Sequence, residues 1–296
     1  MKDISILFYN TMWGMPLPFM DESLPAGFSI TLDKGQISEA DVVVFHIPDL
    51  YKVIGDDEIT KSENQIWVGW CLECEENYPI LKDQDFRDMF DIWMGYHQND
   101  DVIYPYYLNF DNYMKESEFV DFNQRKDVCM LISSNINKSG RIEYLAELMK
   151  YIHIDSYGKL FRNSTINHDC GRKSAIDLMR KYKFVIAFEN AVAEDYVTEK
   201  FYNPLYACSV PIYLGAQNID EFSPYKNCYM DVRSFSTPRE LAEAIKYYSS
   251  SESDWMKFFS ERNYLTGRFQ EKLDAISDNP FIRLCRVTRK LLHDRK

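Results

Sequence analysis

The sequence predicts an α/β protein of two domains, with a parallel sheet in the second. Three observations carry this. The chain has 296 residues, 46% of them apolar, which is enough length and apolar mass for two ordinary domains. Residues 183–222 read strand, loop, helix, strand, the βαβ unit of a parallel sheet. The first hundred or so residues alternate short apolar runs with loops, the mark of further strands.

The elements follow in order. Residues 4–9, 28–32, 41–45, 65–70 and 91–96 are strand candidates, and 86–90 a short helix. Residues 13–27 hold Gly14, Pro16, Pro18, Pro25 and Gly27 and read as one long loop, open to a role at a site or to a plain surface excursion. Residues 110–126 are charged and aromatic without a period and read as a linker. A strand at 127–132 follows, then a helix at 142–151 opened by Gly140 and Arg141, with Ile142, Leu145, Ala146, Leu148 and Met149 near one face. Residues 153–158 are a strand, 159–173 a polar loop with Cys170, and 174–181 a helix. The apolar run 184–188 is a buried strand, and Thr198 stands as N-cap of the next helix. Pro204 should leave that helix short or bent. Strands at 210–214 and 228–232 come next. Thr237, Pro238 and Glu240 then form a capping signature for a helix to about Tyr248, and 254–264 is a further helix.

Charge narrows the chemistry. A formal net charge of −12 makes the chain a poor partner for nucleic acid, whose phosphates need Lys and Arg. A nucleotide ligand must be held by local cations against that field. Lys200 stands in the first turn of a helix, where the dipole disfavours a cation. A bound anion explains it better than helix stability does, because the helix start also offers free N–H groups. Arg141 is placed in the same way; the plain alternative for it is a solvated surface charge. Ligands of parallel sheets bind beyond the carboxyl ends of the strands, and the loop carrying Glu189, Asn190, Asp195, Tyr196, Glu199 and Lys200 lies there. Glu199 suits hydrogen bonds from sugar hydroxyls.

The seven cysteines are odd in number and scattered. Cys71 and Cys74 have C-x-x-C spacing, but no partner pair or H-x3-H exists, so no metal site is expected. With no leader-like start and no long apolar run, the expected setting is a reducing cytoplasm with free thiols. The tail from Phe281 to Lys296 is basic and amphipathic; it either packs on the body or touches the inner face of an anionic membrane.

Phe188-Glu189-Asn190, Asp195-Tyr196-Val197-Thr198-Glu199-Lys200 and Val210-Pro211 resemble the donor-site signature of the α-1,3/1,4-fucosyltransferases. The resemblance implies the GT-B arrangement of two Rossmann-like α/β domains facing each other across a cleft, and inverting transfer of fucose from GDP-β-L-fucose. It spans most of the second domain but only islands of the first. Leu72-Glu73-Cys74 with Asn77-Tyr78-Pro79 is similar to a family segment whose glutamate is the proposed base, with Cys74 where serine is usual. On that match Glu73 is the catalytic base, and Glu75 and Glu76 are its rivals. Residues 95–107 resemble another family segment, with His97 and Gln98 in place of two arginines. Acceptor handling should therefore differ, and His97 is an acceptor-side candidate rather than a base.

Ser134, Asn135 and Arg141 match a pattern whose arginine binds the donor pyrophosphate. The implied donor residues are Arg141, Asn190, Tyr196, Glu199 and Lys200, with Ser134, Asn135, Glu189 and Asp195 beside them. The implied partners are GDP-fucose and an oligosaccharide bearing N-acetylglucosamine or glucose, without an essential metal or other cofactor. Residues 1–121 would hold the acceptor, 122–265 the donor, and 266–296 would form a helical tail. Two alternatives stay open, a same-fold transferase using another nucleotide sugar and a non-catalytic relative that binds nucleotide or carbohydrate.

Overall fold

The computed structural model describes residues 3–17, 24–52, 59–166, 171–276 and 278–295, the side chains of Tyr51 and Lys52 excepted. Part of the expected long loop (18–23, with Pro18), Cys170 and Lys296 lie outside the described residues. The chain divides into two compact units, Met1–Pro105 with Ile276–Lys296, and Tyr106–Ala275.

The first unit holds β1 (Ile4–Phe8), β2 (Phe28–Thr31), β3 (Val42–His46), β4 (Ile66–Cys71), the single-turn helix α1 (Gln84–Arg87), β5 (Ile92–Gly95) and β6 (Val102–Ile103). Its sheet is parallel, in the order β2-β1-β3-β4-β5-β6. Successive side chains point to opposite faces, so the strands feed two apolar layers. Ile6, Phe8, Val42, Val44, Val68 and Trp70 line one, and Leu7, Val43, Phe45, Trp67 and Trp93 the other. This double burial is why the strands read as unbroken apolar runs.

The second unit opens with α2 (Phe110–Lys115). It continues through β7 (Lys126–Met130), α3 (Arg141–Leu148), β8 (Asp155–Ser156), α4 (Arg172–Met179), β9 (Tyr182–Phe188), α5 (Glu199–Tyr206), β10 (Val210–Leu214), β11 (Met230–Asp231), α6 (Pro238–Ser249), α7 (Glu252–Trp255) and α8 (Gly267–Ala275). The sheet is again parallel, ordered β11-β10-β9-β7-β8. β9 lies at its centre with all seven residues buried, and it pairs Phe184 with Val210 through Phe188 with Leu214. α5 is short, eight residues, with Pro204 in its last turn. At α6 the expected N-cap is present, with the Glu240 carboxylate reaching one residue further back than in a capping box. Thr237 accepts from the Glu240 N–H, and the Glu240 carboxylate accepts from the Ser236 N–H.

The last helix, α9 (Pro280–Asp294), belongs to the first unit. It buries Phe281, Leu284 and Cys285 in the sheet layer of Phe8 and Trp70, with the Phe281 ring 5.9 Å from Phe8 and 5.8 Å from Trp70. The apolar face of the tail thus packs on the body of the first unit. Three of its basic residues, and Arg295 just past its end, also bond protein atoms: Arg283 to the Ile103 carbonyl, Arg286 to Asp278, Arg289 to the Ala26 carbonyl and Arg295 to Asp91.

The compact units are bounded differently from the expected domains in two places. Segment 110–126 is no linker: Phe110 meets Phe269 edge-on at 4.8 Å and Tyr113 stacks 4.7 Å from Tyr206, which ties it into the second unit. The division thus falls after Pro105 rather than after Asp121, and the segment from Ile276 returns to the first unit instead of standing as a separate tail. The helix expected over 254–264 is instead the single turn α7 with a 3-10 turn at Met256–Phe259. α8 lies within the stretch 266–296 that was expected to be helical.

Candidate active site

In the second unit the functional side chains gather beyond the carboxyl ends of β7 and β9. Arg141 is the first residue of α3, and its guanidinium is 0% exposed. It donates from Nη1 to the Phe188 carbonyl at 3.0 Å and from Nη2 to the Ser134 carbonyl at 2.9 Å, so it braces the end of β9 to the loop after β7. Its Nε has no hydrogen-bond partner. The surface-charge alternative for Arg141 is therefore excluded. Burial lowers its pKa, and Glu189 and Tyr196 act in the opposite sense.

Glu189 follows β9 and is fully buried. Its carboxylate accepts the Thr198 N–H at 2.8 Å and the Thr198 hydroxyl at 2.9 Å, which fixes the N-cap of α5. Burial raises the Glu189 pKa, partly offset by Lys200. The Lys200 ammonium, whose side chain is 27% exposed, lies 3.0 Å from Thr198 Oγ1, 3.1 Å from Glu199 and 3.4 Å from Glu189. Burial works against its charge, but Glu199 and Glu189 outweigh that and hold its pKa above the usual lysine range. Glu199 shows the mirror image: burial alone would raise its pKa, and Lys200 brings it below the ordinary value. The four side chains thus grip one another, with Lys200 the cation that keeps some contact with solvent.

The remaining residues of this loop support it. Asp195 takes a left-handed backbone, φ 62°, and exchanges hydrogen bonds with the Asn218 side chain at 3.1 and 2.9 Å. Asn190 is buried, and its carbonyl accepts the Ser139 N–H. Tyr196 is buried, with its ring edge-on to Tyr106 at 6.4 Å. Ser134 and Asn135 are exposed. The structure therefore joins Arg141, Glu189, Glu199 and Lys200 in one electrostatic cluster and leaves Ser134 and Asn135 on the adjoining open loop.

In the first unit Glu73, Glu75 and Glu76 follow β4, and the structure separates them sharply. Glu76 forms an exposed ion pair with Lys82 at 2.6 Å. Glu75 accepts from Tyr96 Oη at 3.0 Å and lies 3.4 Å from His97 Nε2; the His97 bond holds its carboxyl far below the usual range, at about 2. Glu73 is half-buried, with Asn77 Nδ2 at 3.4 Å from its carboxylate. His97 is thus bound up with Glu75. Cys71 and Cys74 are buried free thiols; burial raises both pKa values, that of Cys74 to about 11, so neither is primed for redox work.

Two groups here escaped the sequence reading. Asp100 accepts the His97 N–H at 3.1 Å, and burial pushes its carboxyl up to about 6. His46, at the end of β3, is buried with Nδ1 2.7 Å from Asp49, and Asn10 binds the same carboxylate oxygen at 2.8 Å. No motif marks Asn10 and His46 as partners, because they meet only through the pairing of β1 with β3. Among the described residues no group of three or more His, Cys, Asp or Glu is placed to hold a metal, and no helix is long and apolar enough to cross a membrane.

Residues 2–107 match the model of the fucosyltransferase N-terminal domain, and 122–296 that of the C-terminal domain of glycosyltransferase family 10 (fucosyltransferase). The GDP-fucose protein O-fucosyltransferase 3 of Xenopus tropicalis is 40% identical over 126 residues, 40% of this chain and 27% of that protein. The alpha-(1,3)-fucosyltransferase B of Drosophila melanogaster is 30% identical over 213 residues, 64% of this chain and 47% of that one. The 4-galactosyl-N-acetylglucosaminide 3-alpha-L-fucosyltransferase 9 of Bos taurus is 26% identical over 244 residues, 81% and 65% of the two chains. This chain thus spans between 27% and 65% of the length of these relatives. A crystal structure of alpha1,3-fucosyltransferase with GDP-fucose superposes with a TM-score of 0.63 at 15% identity, over 92% of this chain and 88% of that one, so the fold is shared. With family models matching both of its units, the chain belongs to glycosyltransferase family 10, the fucosyltransferases.

Proposed function

We propose that the protein transfers L-fucose from GDP-β-L-fucose, with inversion, to a hydroxyl of N-acetylglucosamine or glucose in an oligosaccharide. The observation that carries this reading is the cluster of Arg141 and Lys200 at the carboxyl end of the second sheet, in a chain of net charge −12. Local cations there answer the pyrophosphate. In the reaction Glu73 takes the proton of the acceptor hydroxyl, the freed oxygen forms the bond to the anomeric carbon, and the bond from that carbon to GDP breaks with its electron pair leaving on the phosphate. Lys200 meets the departing charge and Arg141 adds its field from behind, the electrostatic share of catalysis. Asn190, Tyr196 and Glu199 hold the sugar and nucleoside portions. No metal is needed in this scheme, because both cations are supplied by side chains.

The acceptor admits a second reading. The relative with 40% identity is named for protein O-fucosylation, which favours a polypeptide hydroxyl in place of the sugar. One experiment tests both, GDP release from GDP-fucose, with and without EDTA, across lactose, N-acetyllactosamine, a type 1 disaccharide and folded domains bearing serine or threonine. Turnover in EDTA with a disaccharide is the expected result. Turnover only with polypeptides would transfer the reading to the second acceptor. Equal use of GDP-mannose or UDP-galactose would defeat the donor assignment, and activity restored only by manganese would defeat the metal-free scheme.

A further inference from the structure

We infer that Glu189 is a positioning residue for this transfer. It never touches the donor, and it acts through Thr198 to hold the Lys200 ammonium in place for the pyrophosphate. The inference rests on the role of Lys200 proposed above.

The carboxylate of Glu189 is sealed, 0% exposed, at the end of the central strand β9. Its backbone is pinned on both sides, by its N–H to the Leu214 carbonyl at 2.7 Å and by the Ser139 hydroxyl to its own carbonyl at 2.6 Å. Its cavity depends on Gly215, where a Cβ would lie 2.7 Å from Glu189 Cγ and 2.4 Å from the Tyr213 hydroxyl. From this fixed base a relay runs outward. Glu189 accepts the Thr198 hydroxyl proton, so that the lone pairs of Thr198 Oγ1 are left to accept the Lys200 ammonium at 3.0 Å and its backbone N–H at 3.3 Å. The other Glu189 oxygen takes the Thr198 N–H. Lys200 is thereby held by Thr198 Oγ1, Glu189 and Glu199 instead of sweeping its long side chain through solvent.

Simple charge counting argues against putting a carboxylate here, since a negative group beside an anion site weakens anion binding. That conflict makes the idea testable, because the two accounts predict opposite signs. If Glu189 matters only as a charge, Glu189→Gln should tighten GDP. If it positions Lys200, Glu189→Gln should weaken GDP: a glutamine still accepts the Thr198 N–H, but its amide cannot also accept the hydroxyl while leaving Lys200 its place.

The experiment is a double-mutant cycle of Glu189→Gln and Lys200→Met, read as the GDP dissociation constant by calorimetry and as kcat at saturating donor. Each single variant should bind GDP about tenfold more weakly, and the double variant no more weakly than Lys200→Met alone. Parent-like or tighter binding by Glu189→Gln, or losses that simply add, overturns the proposal. Should Glu189→Gln fail to fold, Thr198→Val and Thr198→Ser ask the same question. Valine cuts the relay and should weaken GDP, whereas serine should restore it, and two equal variants overturn the proposal. Lys200→Met binding GDP like the parent would remove the underlying role of Lys200 itself. Weak binding by Lys200→Met beside parent-like binding by Glu189→Gln would strike this inference alone.

Discussion

A general base must accept a proton near working pH from within hydrogen-bond reach, and the three glutamates after β4 differ in fitness for that task. Glu75, held at about 2 by His97 and Tyr96, is too weak a base, and Glu76 is spent on Lys82 at the surface. That leaves Glu73, so Glu73→Gln should lower kcat by about two to four decades while GDP affinity by calorimetry stays near the parent value. Glu75→Gln should cost far less, and Glu76→Gln nothing measurable. An active Glu73→Gln beside an inactive Glu75→Gln would move the base to Glu75. Residues such as Glu73, Glu189 and Lys200 were legible because each stands inside a contiguous motif. Asp100 and the His46–Asp49 pair were not, because nothing in a sequence reports that a carboxyl is buried against a backbone N–H or that two strand ends are neighbours.

Elements were legible where one physical signal dominated. β9 and β10 showed as β-branched and aromatic runs stopped by a polar loop and by Gly215, and α6 showed as a capping box with proline at its start. Elements whose stability is tertiary were not. α2 is six residues long, too short to show a period, and it exists because Phe110 and Tyr113 find Phe269 and Tyr206. α9 declared an apolar face but could not declare which sheet it covers. Phe281 is the anchor of that helix, packed among Phe8, Trp70 and Tyr104. Phe281→Ala should destabilise the protein by about 3–5 kcal/mol, read as a lower thermal or denaturant midpoint. A loss below about 1 kcal/mol would mean that α9 is a loosely held tail after all, with its basic face available to other partners.

At the scale of the whole molecule the proposed donor and the protein carry net charge of the same sign. The chain carries a formal net charge of −12 and has a calculated isoelectric point of about 5.0, while GDP-fucose is an anion at neutral pH. The Arg141 and Lys200 charges are each faced by a carboxylate, Glu189 or Glu199, so the site offers directed contacts more than a long-range positive field. Attraction is therefore short-ranged and repulsion long-ranged. Salt screens exposed charges beyond about 10 Å at 0.1 M but leaves partly buried pairs nearly intact. Raising ionic strength from about 10 to 150 mM should thus speed GDP-fucose association in stopped-flow experiments, while the dissociation rate changes little. Sites steered by an extended basic surface behave in the opposite way, and their association slows steeply with salt. A steep fall here would show that a positive field reaches well beyond Lys200, and the balance of repulsion and local grip drawn from this cluster would be wrong.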